Sequence, residues 1–355
     1  MTWDLIVAII SMGRITRRLK RFKGVIGEGF HGKTYSVPYE PKGESLYNLL
    51  SVEDITKITL LTEDVKHPYV LEGKAEVGYF LAFLRNLQGV IAKVFKETMV
   101  YRGVSIEEDM LEEVAMNRKV IEIYGKHAKK FLTVLPIRGF RRVPFFASII
   151  EIVGKKPLYV TYASICNNKF KFEPLKFAKE SLESIEILQK GGYQHNDIKM
   201  DNFVLCAERY KLIDWGQAGP IGTFMFGDMI SSSPMKWYIA GVPAFFSDRI
   251  MNFRARTTDV GYEESDMFQE VYERIEDEFF YVTGGGYLPV TKELVDKYKK
   301  SFDIFMVGMT MLRGIYLQGL DYRKYKPVID AFTSLTNPIT SPKEAIKRIA
   351  LTSAS

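Results

Sequence analysis

Residues His195 to Asn202 read H-N-D-I-K-M-D-N, and Asp214 follows in K-L-I-D-W-G. This run places a carboxylate, a lysine, an amide and a second carboxylate at a spacing suited to moving a phosphoryl group from a nucleoside triphosphate. Asp197 can take the proton of an attacking hydroxyl, and Lys199 can neutralise the migrating phosphoryl group. Asn202 and Asp214 offer hard oxygen ligands of the kind that Mg²⁺ accepts. A lone H-x-D is common, but the longer string followed by I-D-W-G is hard to obtain by accident.

The flanking residues indicate how these groups are positioned. Pro174 opens a helical pattern with Leu175, Ala178, Leu182, Ile185 and Leu188 on one face, and Gly191 and Gly192 end it. Asn202 to Leu205 and Tyr210 to Ile213 read as two short strands around a turn. Asp197 is therefore expected on a loop after a helix, and Asp214 at the end of a strand. Loops braced by rigid elements commonly carry chemistry.

A glycine-rich stretch lies far upstream. Gly27, Gly29 and Gly32 in V-I-G-E-G-F-H-G-K-T-Y match G-x-G-x-x-G, while Gly27 to Thr34 also match G-x-x-x-x-G-K-T. Both patterns bind phosphate through backbone N–H groups. The second needs a helix straight after it. Lys33 to Val37 is instead β-prone and runs into Pro38, which favours a hairpin.

Together, the His195-Asn196-Asp197 and Asp214-Trp215-Gly216 segments resemble the catalytic loop and metal-binding turn of protein kinases, and the three glycines resemble the kinase phosphate cover. The resemblance implies an α+β, bilobal fold with a small, mainly β N-lobe and a larger, mainly α C-lobe. It also implies ATP and Mg²⁺ as cofactors and a protein carrying a Ser or Thr acceptor as substrate. The expected division is an extension at 1–20, an N-lobe at 21–162 with an insert near 38–88, and a C-lobe at 163–355 with an insert near 249–298. The first insert has enough apolar residues to be an ordered addition to the smaller lobe.

Such a fold requires a strand lysine to hold the non-transferred phosphates and a helical glutamate to hold that lysine. Lys93 in V-I-A-K-V-F is the candidate, with Lys96 as rival and a solvent-facing lysine as the bland alternative. Ile106 to Tyr124 reads as an amphipathic helix, from which Glu113, or else Glu112, is the partner. Phe131 to Pro136 and Pro157 to Thr161 read as strands, which leaves Tyr162 and Ala163 as the connection between lobes. The segment Ser301 to Met309 is apolar on nearly all sides and resembles the kinase central helix, whose aspartate, here Asp303, braces the catalytic loop. Gly241 to Ser247 resembles a degenerate G-T-P-x-Y-x-S segment, with Asp248 in place of its usual glutamate. Asp259 to Tyr281 reads as an inserted acidic helix, with Phe268, Tyr272, Ile275 and Phe279 forming a stripe better suited to the core than to docking. Ser231, Ser232 and Ser233 read as a polar loop.

Composition narrows the class further. A chain of 355 residues with 46% hydrophobic and 26% charged residues has the profile of a globular protein. A net charge of +6 is modest and partly local to Arg14 through Lys23, so nucleic acid is not expected as a partner. Trp3 to Met12 is too short to span a bilayer, and stable membrane insertion is not expected. Two cysteines, Cys166 and Cys206, form no disulfide framework, so an intracellular, reducing compartment is the expectation.

Lys199 favours Ser/Thr over Tyr acceptors within the resemblance, and the H-N-D-I-K wording is similar to divergent kinases of large DNA viruses. Small-molecule kinases of the aminoglycoside or choline type share H-x-D-x-x-x-x-N and I-D-W, and Gly227-Asp228 is similar to their later G-D. Lys199, the three-glycine loop and the Asp303 helix stand against that class. A non-catalytic scaffold would have no reason to keep Asp197, Asn202 and Asp214 together. Asn196 stands where many kinases have an arginine that pairs with an activation-loop phosphate, so activity is expected not to require phosphorylation of that loop.

Overall fold

The computed structural model describes residues 25–28, 32–37, 56–61, 69–86, 90–95, 106–135, 148–152, 158–163, 170–222, 266–283 and 292–353. The chain forms a mixed α+β structure of two compact units. One comprises residues 1–121 and 132–165, the other 122–131 and 166–355.

The first unit is built on an eight-stranded sheet: β1 (Val25–Glu28), β2 (Gly32–Val37), β3 (Lys57–Leu61), β4 (Tyr69–Glu72), β5 (Val90–Phe95), β6 (Val134–Leu135), β7 (Ser148–Ile152) and β8 (Leu158–Ala163). Its order is β1-β2-β5-β8-β7-β3-β4, with β6 also paired to β8, and every pairing is antiparallel. The glycine-rich stretch continues from Gly32 directly into β2, which pairs with β1 as a hairpin; no helix follows it. The segment between residues 38 and 88 contributes β3, β4 and helix α1 (Lys74–Asn86). Val77, Phe80 and Leu81 of α1 are buried together with Ile58, Leu60 and Leu71 of the neighbouring strands. Burial of each such side chain is worth about 1.5–3 kcal/mol, which favours an ordered insert. Helix α2 (Ile106–Tyr124) follows β5.

The second unit is mainly helical. It contains α3 (Ala128–Phe131), α4 (Pro174–Lys190), α5 (Asp266–Thr283), α6 (Lys292–Leu317), α7 (Lys326–Phe332) and α8 (Pro342–Ser353), with two short ribbons. One ribbon pairs β10 (Phe203–Cys206) with β11 (Arg209–Leu212), and the other pairs β9 (Tyr193–Gln194) with β12 (Gly219–Pro220). Pro174 lies in the first turn of α4, where its missing N–H costs no hydrogen bond. The buried face of that helix, Phe177, Ala178, Leu182, Ile185 and Leu188, packs toward α6 and α8. Phe302, Ile304, Phe305, Met306 and Val307 are all buried, so α6 is the central helix of this unit. A Cβ on Gly314 would come within 2.4 Å of Phe172 and 2.6 Å of Met200, so glycine is what lets α6 approach the loop that carries Lys199.

Several expectations need adjustment. Phe131 ends a helical turn rather than starting a strand, and among the described residues of that span Val134–Leu135 form the strand. Ala128, Lys129 and Lys130 are good helix formers, and the Phe131 ring is buried 4.5 Å from the Arg209 guanidinium. Tyr162 and Ala163 belong to β8, where they pair with Leu135 and Val134 instead of forming a free connection. The acidic helix is described over Asp266–Thr283, and residues 259–265 of the expected span lie outside the described residues. Its Phe268 and Ile275 are buried, in keeping with a core stripe. Cys206 is in a disulfide, against the expectation of reduced cysteines; a low cysteine count excludes a framework but does not keep a thiol free. Among the described residues, no helix is long and apolar enough to cross a membrane. Trp3 to Met12, Gly29, Lys96, Gly227-Asp228, Ser231 to Ser233 and Gly241 to Asp248 lie outside the described residues.

Candidate functional site

Local structure in the second unit places Asp197 and Asp214 on two loops that are stitched together. Helix α4 ends at Gly191 and Gly192, the latter at φ +79°, a conformation that glycine enters without strain. The chain then forms β9, the loop from His195 to Lys199, a 3₁₀ turn over Met200–Asn202, and the β10–β11 hairpin. Phe203 pairs with Leu212, and Ile213 N–H donates to the Asn202 carbonyl at 2.9 Å. The residues preceding Asp214 are thus hydrogen-bonded to the residues around Asn202.

Asp197 is buried, and its Oδ2 accepts from Lys199 Nζ at 2.8 Å and from Asn202 Nδ2 at 2.9 Å. Asn202 Nδ2 also donates to the Asp197 carbonyl at 2.7 Å. The nitrogen of this amide is therefore committed to Asp197, which leaves its Oδ1 as the ligand end. The Lys199 side chain retains 27% exposure, against 8% for Asp197.

His195 is the joint between the two loops. It is fully buried and packs against Trp215, with ring centroids 4.7 Å apart and the planes tilted by 54°. Asp197 N–H donates to Nδ1 at 3.3 Å, and Nε2 lies 3.2 Å from the Ile213 carbonyl. That network puts the proton on Nε2 of a neutral imidazole. Burial pushes its pKa below the usual range, against the opposing fields of Asp303, Asp197 and Asp214. Both Asp197 and Asp214 are therefore near enough to act on the same imidazole. The Trp215 ring also meets Tyr124 at 5.9 Å, and the Tyr124 hydroxyl bonds Ser184 Oγ at 2.7 Å.

Asp303 on α6 fixes the loop backbone. Its Oδ2 accepts from His195 N–H at 2.8 Å and its Oδ1 from Asn196 N–H at 3.1 Å. Thr310, two turns further along α6, places its hydroxyl 3.4 Å from the Ile198 carbonyl. Asp214 differs in kind from Asp303. It is exposed, adopts a left-handed conformation at φ +65°, and its carboxylate makes no hydrogen bond or ion pair to any described residue. A non-glycine residue in that region stores strain of the sort that gathers at functional sites.

In the first unit, Lys93 on β5 forms an ion pair of 2.5 Å with Glu113 on α2, with side-chain exposures of 21% and 15%. Glu112, the alternative, is exposed. Lys93 sits in register with Thr34 of β2 on one side and Tyr159 of β8 on the other. Of the three glycines, Gly27 lies in β1 and Gly32 in β2.

Among the described residues, no three or more His, Cys, Asp or Glu side chains cluster to hold a metal. The oxygen donors expected there from the sequence are one amide, Asn202, and one carboxylate, Asp214. A pair of this kind fits Mg²⁺, which keeps several waters and shares phosphate oxygens rather than sitting in an all-protein cage. The residues that the sequence did not single out are Gln194 and Gln217, which hold Asn196 on either side. Only the unusual type of residue 196 pointed toward them. No family profile matches the chain, and no curated protein matches it.

Proposed function

We propose that this protein is an ATP- and Mg²⁺-dependent phosphotransferase with a bilobal protein-kinase-like fold, acting on Ser or Thr hydroxyls of a protein. The observation that carries this reading is the sharing of one buried carboxylate oxygen, Asp197 Oδ2, by Lys199 and Asn202, on a loop whose backbone Asp303 holds. The Lys93–Glu113 ion pair in the other unit supports it. Such an arrangement suits catalysis by placement and electrostatics, with little covalent work for the protein.

In this mechanism, Asp197 accepts the hydrogen bond of the substrate hydroxyl and takes its proton as the oxygen–phosphorus bond forms. The bond from that phosphorus to the leaving oxygen of the diphosphate breaks. Lys199 lies 2.8 Å from the same carboxylate and offsets charge on the migrating phosphoryl oxygens. Asn202 Oδ1 and Asp214 hold Mg²⁺, which when bound neutralises charge on the phosphates. Lys93, oriented by Glu113, binds the phosphates that are not transferred.

The test is transfer of label from γ-³²P-ATP to a generic protein acceptor, an aminoglycoside or choline. Labelling of Ser or Thr in the protein is expected. Labelling only of a small molecule redirects the proposal to the small-molecule class. The absence of any transfer with Mg²⁺ or Mn²⁺, together with no thermal stabilisation by ATP and Mg²⁺, refutes it in favour of a scaffold.

A further inference from the structure

We infer that Asn196 is a positioning residue that fastens the turn carrying Asp214 to the loop carrying Asp197 from inside the protein. Its side chain is buried and used at both ends. Gln194 Nε2 donates to its Oδ1, and its own Nδ2 donates to the Gln217 carbonyl at 2.9 Å. Its backbone N–H is held by Asp303. Asn196 sits at φ +65°, a region that Asn tolerates and most other residues do not. The residue is thus fixed by backbone, side chain and neighbours before it reaches Gln217.

Gln217 lies three residues beyond Asp214, in the single 3₁₀ turn Trp215–Gln217. Past that turn, the chain returns to the loop's own base. Gly219 pairs with Gln194, Pro220 with Tyr193, and Ile221 N–H donates to the Gly192 carbonyl at 2.9 Å. The residues before Asp214 are held by the β10–β11 hairpin, so the segment is anchored on both flanks. Asn196 provides the side-chain bond between the two loops nearest the Asp214 turn on its downstream side. A buried amide used in this way orders the turn without any added charge, whereas a cation at the same position would wait for an anion to pair with. The orientation of Asp214 is therefore built in rather than switched on.

The inference takes Asp214 to be a metal ligand, and so rests on the proposed function; its test separates the two. Asn196→Gly keeps the positive φ and removes the bond to Gln217. Asn196→Asp keeps the shape and the Gln194 contact but sets an oxygen against the Gln217 carbonyl. In ligand-free protein, backbone amide exchange between Trp215 and Ile221 should rise about tenfold in both variants, the equivalent of one hydrogen bond, with the 203–212 hairpin unchanged. The Mg²⁺ concentration for half-maximal turnover should rise by a similar factor, while kcat at saturating Mg²⁺ falls less than about threefold. Unchanged exchange at 215–221, or an equal rise in the hairpin, overturns the inference. An unmoved Mg²⁺ requirement with a lower melting temperature does so too, because that marks a purely structural residue. If the wild type transfers no phosphoryl group, the functional reading falls, and the exchange comparison alone judges Asn196.

Discussion

Asp303 and Glu278 each collect backbone N–H groups from a loop distant in sequence, but they differ in setting and in what they hold. Asp303 is 1% exposed and grips His195 and Asn196 in the candidate site. Glu278 on α5 grips Leu335 at 2.5 Å and Thr336 at 3.1 Å, accepts from the Ser334 hydroxyl, and is paired with Arg274 at 2.7 Å. Burial pushes its pKa up, but the two N–H groups and Arg274 outweigh that and hold it below the ordinary value of 4.5. Arg274 in turn reaches Thr333 and Asp330. One acid holds the loop of the candidate site, while the other ties α5 to the segment between α7 and α8. Asp214, on the site loop but exposed, clamps nothing among the described residues.

The comparison breaks most visibly at Asp214. Asp214→Ala should lower turnover about a thousandfold or more, the loss expected when a metal's charge stabilisation goes. Its unfolding free energy should fall by only about 1–2 kcal/mol, the cost of placing Ala at the positive φ of an exposed position. A large fall in melting temperature would mean that Asp214 is structural after all. Asp303→Ala should do the opposite in kind. It strands the buried N–H groups of His195 and Asn196 and should cost about 2–5 kcal/mol in urea unfolding, with Asp303→Asn losing less.

Glu278→Gln tests the clamp that carries its own cation, with an expected loss near neutral pH of about 1–2 kcal/mol. The sign follows from its depressed pKa. Glu278 contributes stability above pH 4.5, and that contribution is lost as the pH falls below this value through the folded-state pKa. Melting curves of wild type and variant should therefore differ near pH 7 and converge below pH 4.5. Parallel curves across that range would show that the carboxylate charge is not what the loop uses.

The smallest effect belongs to a turn that neither acid holds. Ala207 at φ +48° and Glu208 at φ +61° form the two-residue connection of the β10–β11 hairpin, in conformations that suit Asn and Gly. Ala207→Asn with Glu208→Gly should raise stability by about 0.5–1 kcal/mol in chemical denaturation and leave turnover unchanged. A change in turnover would show that strain in this hairpin reaches Asp214.

Much of the site's local frame was legible in the sequence because it is built over short distances. The start of α4 at Pro174, its stop at the glycines and the hairpin between Asn202 and Asp214 all follow from periodicity and turn chemistry within a few dozen residues. Asp303 was legible only through resemblance, as the one polar side chain in the otherwise apolar stretch Phe302–Met309. Glu278 was not legible, because it is one acid among several in an acidic helix and nothing local separates it from its neighbours.

By itself, the amino-acid order determined which chemical groups lie near one another along the loop, and which stretches curl or extend. Tertiary structure decided the order of the sheet, which places β3 between β7 and β4, and the partners of Asp303, Glu278 and Asn196. The physical reason is distance along the chain. His195 and Asp303 are 108 residues apart, and Glu278 and Leu335 are 57 apart. Helical and strand periods encode which side of an element is buried, but not which distant backbone N–H its carboxylate will meet.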